Sequence, residues 1–146
     1  MKQVIYVLQF KGSAAPVSDG VLKAATRAAS CSISSQVGSD GLRSSIRLEP
    51  GAEAIFESTV TFTGETTFQE SGSIEFGRGH KVVFSTVGVG YIGPSPDPKV
   101  KHGSVVWRID RGEGQFAGAA GLITSNFTVG DQGEVVDNHF GVLHLG

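Results

Sequence analysis

At 146 residues, 39% of them hydrophobic, the chain is long enough to bury roughly two thirds of its unfolded surface in one domain, residues 1–146. A net charge of −2, with both signs scattered, leaves no basic stripe for a phosphate backbone. Nucleic-acid binding is thereby excluded, and no apolar run approaches the length of a membrane span.

In chain order, period-two alternation dominates and helical periodicity is scarce. Val4, Tyr6, Leu8 and Phe10 alternate as a first strand. That run sits at the short limit of a signal-peptide centre, and Lys11 closes it without a cleavage pattern, so a cytoplasmic protein is expected. Ser13–Gly20 reads as a loop punctuated by Pro16 and Asp19-Gly20. Val21–Ala29 has some helix-friendly content, but Thr26 and the following Ser30–Val37 favour a long strand. Within it the single cysteine, Cys31, alternates with Ala29 and Ile33 as a small buried hydrophobe; one cysteine excludes an internal disulfide. Gly38-Ser39-Asp40-Gly41 is a turn, and Arg43–Leu48 a short strand closed by Pro50-Gly51.

Ala52–Gly64 then sets Ala54, Phe56, Ser58, Val60 and Phe62 on one face. After Gly64-Glu65, Thr66–Phe76 sets Phe68, Glu70, Gly72, Ile74 and Phe76 on one face. Gly77-Arg78-Gly79-His80 turns the chain into Lys81–Gly93, where Gly88 and Gly90 predict a bend or bulge. Gly93–Lys101 is an irregular connection, with Pro94, Pro96 and Pro98 favouring extended backbone without ladder bonds. Ser104–Asp110 alternates through Val105, Trp107 and Ile109. A glycine corner, Gly112–Gly121, follows and offers one large apolar side chain, Phe116. Leu122–Val129, a turn at Gly130–Gly133 and Glu134–Leu145 complete the chain. Glycine, 21 residues, is about twice its usual share and falls between the β-branched runs. The expected fold is all-β: a single closed antiparallel β-barrel of about eight strands with a glycine-rich rim corner.

The segment Trp107-Arg-Ile-Asp-Arg-Gly-Glu-Gly-Gln-Phe-Ala-Gly-Ala-Ala-Gly121 resembles the G-x-G-x-F-x-G-A-x-G corner of the allene oxide cyclase and dirigent-like barrels. Small bacterial barrels of uncharacterised function share that architecture. Phe68–His80 is similar to their carboxylate-bearing segment that runs into a Gly-x-Gly turn, with Glu70 on the matching position. Asp19–Ala28 is loosely similar to their second strand; Pro94–His102 does not match. The resemblance covers about two thirds of the chain. It implies an eight-stranded antiparallel barrel with a lumen, used in some relatives for cofactor-free cyclisation or for steering a reactive intermediate, and a homo-oligomer.

Glu70 is the most informative residue. A carboxylate between Phe68 and Gly72 on an apolar face is costly unless paired or protonated, and desolvation raises its pKa towards the range of a general acid or base. The bland alternatives are an ion pair with Arg108 or Arg27, or an outward facing. Arg108 is the candidate interior cation, with an outer-face salt bridge as its alternative. Tyr91, Trp107 and Asn126 are candidate pocket residues, although the two aromatics also suit core packing. Asp137 and His139 share a face, and a carboxylate beside an imidazole can orient it as a base. Val136, Phe140 and Val142 read as the inward set, however, which places Asp137 and His139 outside and brings Asn138 and His144 into the lumen.

The glycine corner has the wrong spacing for a dinucleotide loop and leads into a strand. His80, His102, His139 and His144 lack paired-ligand spacing, so no metal is expected, nor any cofactor. The leading expectation is a barrel that binds a small organic ligand, with cofactor-free isomerase or cyclase chemistry as its extension. In that extension Glu70 acts as acid or base, and Arg108 or Asn126 steadies negative charge. The alternative is a barrel plugged by its nine phenylalanines and acting as an oligomeric interaction module.

Overall fold

The computed structural model describes residues 1–146. Nine strands form: β1 (Lys2–Ser18), β2 (Val21–Gly38), β3 (Gly41–Phe62), β4 (Thr67–Phe76), β5 (Lys81–Thr86), β6 (Gly90–Pro94), β7 (Val100–Glu113), β8 (Ala120–Gly130) and β9 (Glu134–Leu145). They hydrogen-bond in the order β3-β2-β1-β9-β8-β7-β5-β4, and β4 pairs back onto β3. The result is a ring of eight antiparallel strands. Strand β6 shares the place of β5 between β4 and β7. No helix is long and apolar enough to cross a membrane.

The ring explains two departures from the sequence reading. Ser13–Ser18 continues β1 rather than forming a loop; Pro16 is accommodated where the β1–β2 register shifts before Ser18. Strand β3 runs straight through Pro50-Gly51 instead of ending there. Opposite the single residue Ser30, β3 places Glu49–Ala52, and this large bulge gives proline a site without a ladder bond. The run Lys81–Gly93 divides into β5 and β6 at Val87–Val89, where Gly88 takes φ 71°, as its glycines foretell. The glycine corner forms a short 3₁₀ turn, Gly114–Phe116, and Phe116 is buried 5.2 Å from Phe76, ring to ring.

Inside the ring, Phe10, Phe56, Phe84, Trp107, Ile74, Ile123 and Leu143 are almost fully buried. The strong alternation of β1 also settles β9. Directly paired residues share a face, and Val4, Tyr6, Leu8 and Phe10 pair with Leu143, Gly141, His139 and Asp137. The odd positions of β9 are therefore the inward ones, and Asp137 and His139 are buried. This overturns the expected inward set of Val136, Phe140 and Val142, because outward positions of a strand accept apolar residues freely. Asn138 is correspondingly exposed.

Close coiling needs glycine where strands cross tightly. Gly72 lies opposite Ser58, and a Cβ there would overlap the Glu57 carbonyl oxygen and press on Ser58 Cα. Gly72→Ala is expected to lower stability by about 1–3 kcal/mol, read as a shift in urea midpoint at unchanged slope. An unaltered midpoint would show that β3 and β4 part there without cost.

Candidate functional site

The interior carries a polar cluster on an apolar wall. Strands β3, β4, β8 and β9 contribute Ser58, Glu70, Ser125, Asp137 and His139, all buried. Ser58 Oγ donates to Glu70 Oε2 at 2.5 Å. Thr86 fixes the Glu70 backbone from β5: its hydroxyl accepts from Glu70 N at 2.7 Å and donates to Glu70 O at 2.8 Å. Ser125 Oγ donates to Asp137 Oδ1 at 2.5 Å, and Asp137 Oδ2 lies 2.8 Å from His139 Nε2. An ionised Asp137 makes Nε2–H the donor and leaves Nδ1 without a partner.

Burial pushes the Glu70 carboxyl up from 4.5 to about 8, and the Asp137 carboxylate adds to the rise. The Ser58 hydroxyl and the Trp107 indole N–H oppose it by favouring the charged form. Trp107 Nε1 makes no in-range hydrogen bond and is wholly buried, so it offers only partial compensation. At neutral pH Glu70 is therefore chiefly a neutral acid, a proton donor held among aromatic rings. Burial, and then Asp137, also push the Tyr6 phenol upward. Tyr6 OH and Thr26 Oγ1 are likewise buried without partners.

A cavity of about 60 Å³ adjoins this cluster, with Glu70, Asp137, Ser125 and Thr26 as its polar lining and mostly apolar walls that include Phe62 and Phe127. That is space for roughly four waters or a few heavy atoms. The buried polar set contains no Lys or Arg. No cluster of three or more His, Cys, Asp or Glu that could hold a metal ion forms anywhere in the chain.

The residues singled out in the sequence divide into two groups. Glu70, Trp107 and His139 meet inside the ring; His139 packs 5.0 Å from Trp107 and 4.2 Å from Phe10, ring to ring. Tyr91, Asn126 and Asn138 meet outside, lining a shallow depression with His102 and Ser104. Arg108 also lies outside, 3.4 Å from Asp110: of its two readings the outer-face salt bridge forms, and neither the interior cation nor an ion pair with Glu70 does. An interior role for Asn126 or Asn138 is corrected on the same ground of facing. Sequence reasoning passed over Ser58, Ser125 and Thr26. Their signal was visible for Ser58, a hydroxyl between Phe56 and Val60 on an otherwise apolar face. Comparison of the chain with protein-family models, curated proteins and solved structures gives no match in any of the three.

Proposed function

We propose that the ring works as a barrel of the allene oxide cyclase and dirigent-like kind, binding a compact, uncharged organic molecule in its interior. The observation that carries this reading is the cavity beside Glu70, with apolar walls and a buried acid at its polar lining. An interior with two acidic side chains and no Lys or Arg disfavours anions, so a neutral molecule bearing one hydrogen-bond acceptor fits best. The catalytic extension is cofactor-free isomerisation or cyclisation. Glu70 donates its proton to a carbonyl or ether oxygen of the substrate, and the Ser58 hydroxyl and Trp107 N–H, rather than the outward Arg108, steady the carboxylate left behind. Asp137, the other acid lining the cavity and hydrogen-bonded to His139, is the available base and takes a carbon-bound proton in return. A reducing compartment such as the cytoplasm suits the single thiol of Cys31.

Trp107 is the only tryptophan, and its fluorescence reports on the interior. Titration with dimethyl sulfoxide, four heavy atoms and one strong acceptor, is expected to change that emission, whereas acetate, of the same size, is expected not to. Glu70→Gln should weaken dimethyl sulfoxide binding by about 2- to 10-fold, the worth of one altered hydrogen bond. With a turned-over substrate in hand, the same change should cost about 10²–10⁴ in rate. No response to dimethyl sulfoxide, together with no bound small molecule in a native mass spectrum of protein from its source, would remove the reading. A second reading, a packed ring acting through its outer surface, is favoured by the small size of the cavity, about 60 Å³.

A further inference from the structure

Strands β2 and β3 outrun the ring. Beyond the bulge at Ser30, Cys31–Gly38 pairs only with Gly41–Leu48, so these residues form a two-stranded ribbon with no third strand against it. The ribbon has two unlike faces, because directly paired residues point the same way. One face is polar: Ser34 and Ser45 bond to each other at 2.9 Å, and Arg47 pairs with Glu49 at 3.2 Å. The other is built of rungs Cys31/Leu48, Ile33/Ile46, Ser35/Ser44 and Val37/Leu42. On that face Val37 is 87% exposed, Leu48 72%, Leu42 70% and Ile46 48%.

A two-stranded ribbon is marginal alone in water, and an exposed aliphatic face makes it more so. We propose that a second copy of this chain covers it, the two ribbons stacking apolar face to apolar face, antiparallel about a two-fold axis. The rungs are self-complementary under that operation. Reversing their order sets the bulky Ile33/Ile46 rung against the small Ser35/Ser44 rung, and Val37/Leu42 against Cys31/Leu48. Apolar surface continues from the ribbon root onto β1: Ile5 and Val7 are exposed, and a groove of about 480 Å³ joins them to Cys31. At about 100 Å² for each of five aliphatic side chains, the face offers roughly 500 Å² per copy. Two copies then bury about 1,000 Å², the threshold of a specific interface. The ribbon's charges, Asp40, Arg43, Arg47 and Glu49, cancel, so no net repulsion opposes the stacking. This interface is independent of what the ring's interior binds.

Light scattering after gel filtration is expected to give twice the 15.2 kDa chain mass for the wild type. Ile46→Lys should return a monomer whose near-UV circular dichroism, dominated by the buried Trp107, is unchanged, since the ribbon stands outside the ring. In a second experiment, Val37→Cys treated with a bismaleimide of about 8 Å reach should yield a cross-linked dimer on a denaturing gel, since facing residues of stacked sheets lie about 10 Å apart, and adding Cys31→Ser should abolish it. A monomeric wild type would overturn the proposal and leave the face to a different protein. A dimer that survives Ile46→Lys would overturn it in favour of another surface, and a dimer that never cross-links would overturn the antiparallel stacking.

Discussion

Glu70→Gln is expected to abolish a fall in stability that the wild-type protein shows between about pH 4.5 and pH 8. The carboxyl titrates near 4.5 in the unfolded chain and near 8 in the folded one, chiefly because burial penalises its charge. Below pH 4.5 both states hold the proton and stability is at its full value. As pH rises through the interval, the unfolded chain sheds the proton while the folded one keeps it. Each pH unit then removes about 1.4 kcal/mol from the unfolding free energy. Across the interval the loss reaches about 5 kcal/mol, and above pH 8 the contribution is flat. Glutamine keeps the shape and can still accept from Ser58, so the variant should match the wild type within about 1 kcal/mol at pH 5. At pH 8.5 it should be the more stable protein. Urea unfolding at half-unit intervals from pH 4.5 to 9 measures this, and an equal decline in both proteins would refute the assignment to Glu70.

Phe56→Ala is expected to cost about 3–5 kcal/mol, which lowers the melting temperature by about 10–20 °C. The Phe56 ring is the hub of the interior, with ring centres 5.5 Å from Phe84, Trp107 and His139 and 6.0 Å from Phe10. It also forms part of the wall of the cavity beside Glu70. Truncation frees roughly 100 Å³ there, giving a continuous apolar space comparable to those that admit benzene. Benzene should accordingly raise the melting temperature of the variant and leave the wild type unaffected, by mass action on the folded state. A loss below about 1 kcal/mol would mean that the interior collapses onto the gap and that the aromatic stack is not its centre.

Much of this architecture was legible because the strands alternate cleanly. Ala54 to Phe62 and Phe68 to Phe76 announced their buried faces, and Glu70 among them announced the acid. The turns at Gly38–Gly41, Gly77–His80 and Gly130–Gly133 were equally plain. Strand β9 was not legible, because Val136, Phe140 and Val142 compete with Val135, Leu143 and Leu145 for the same interior. Only its register against β1 decides between them, and register is a long-range property. The same flip brought Asp137 and His139 in and left Asn138 out. Arg108 could not be assigned because each face of its strand offers a β-branched residue, Val106 on its own and Ile109 on the other. The ribbon escaped notice because Pro50-Gly51 reads as an ending when nothing shows the bulge that houses it.

The pairing of β1 with β9 bears on how the protein is made. Lys2–Phe10 finds its partner only in Asp137–Leu145, more than 120 residues further along the chain. At about 5–20 residues per second on the ribosome, the first strand waits several seconds with one edge vacant before its neighbour emerges. Hairpins such as β3–β4 can zip meanwhile, but the circle cannot shut. Nascent chains thus pass through an open, sticky sheet guarded at that margin by the charge of Lys2 and Lys11.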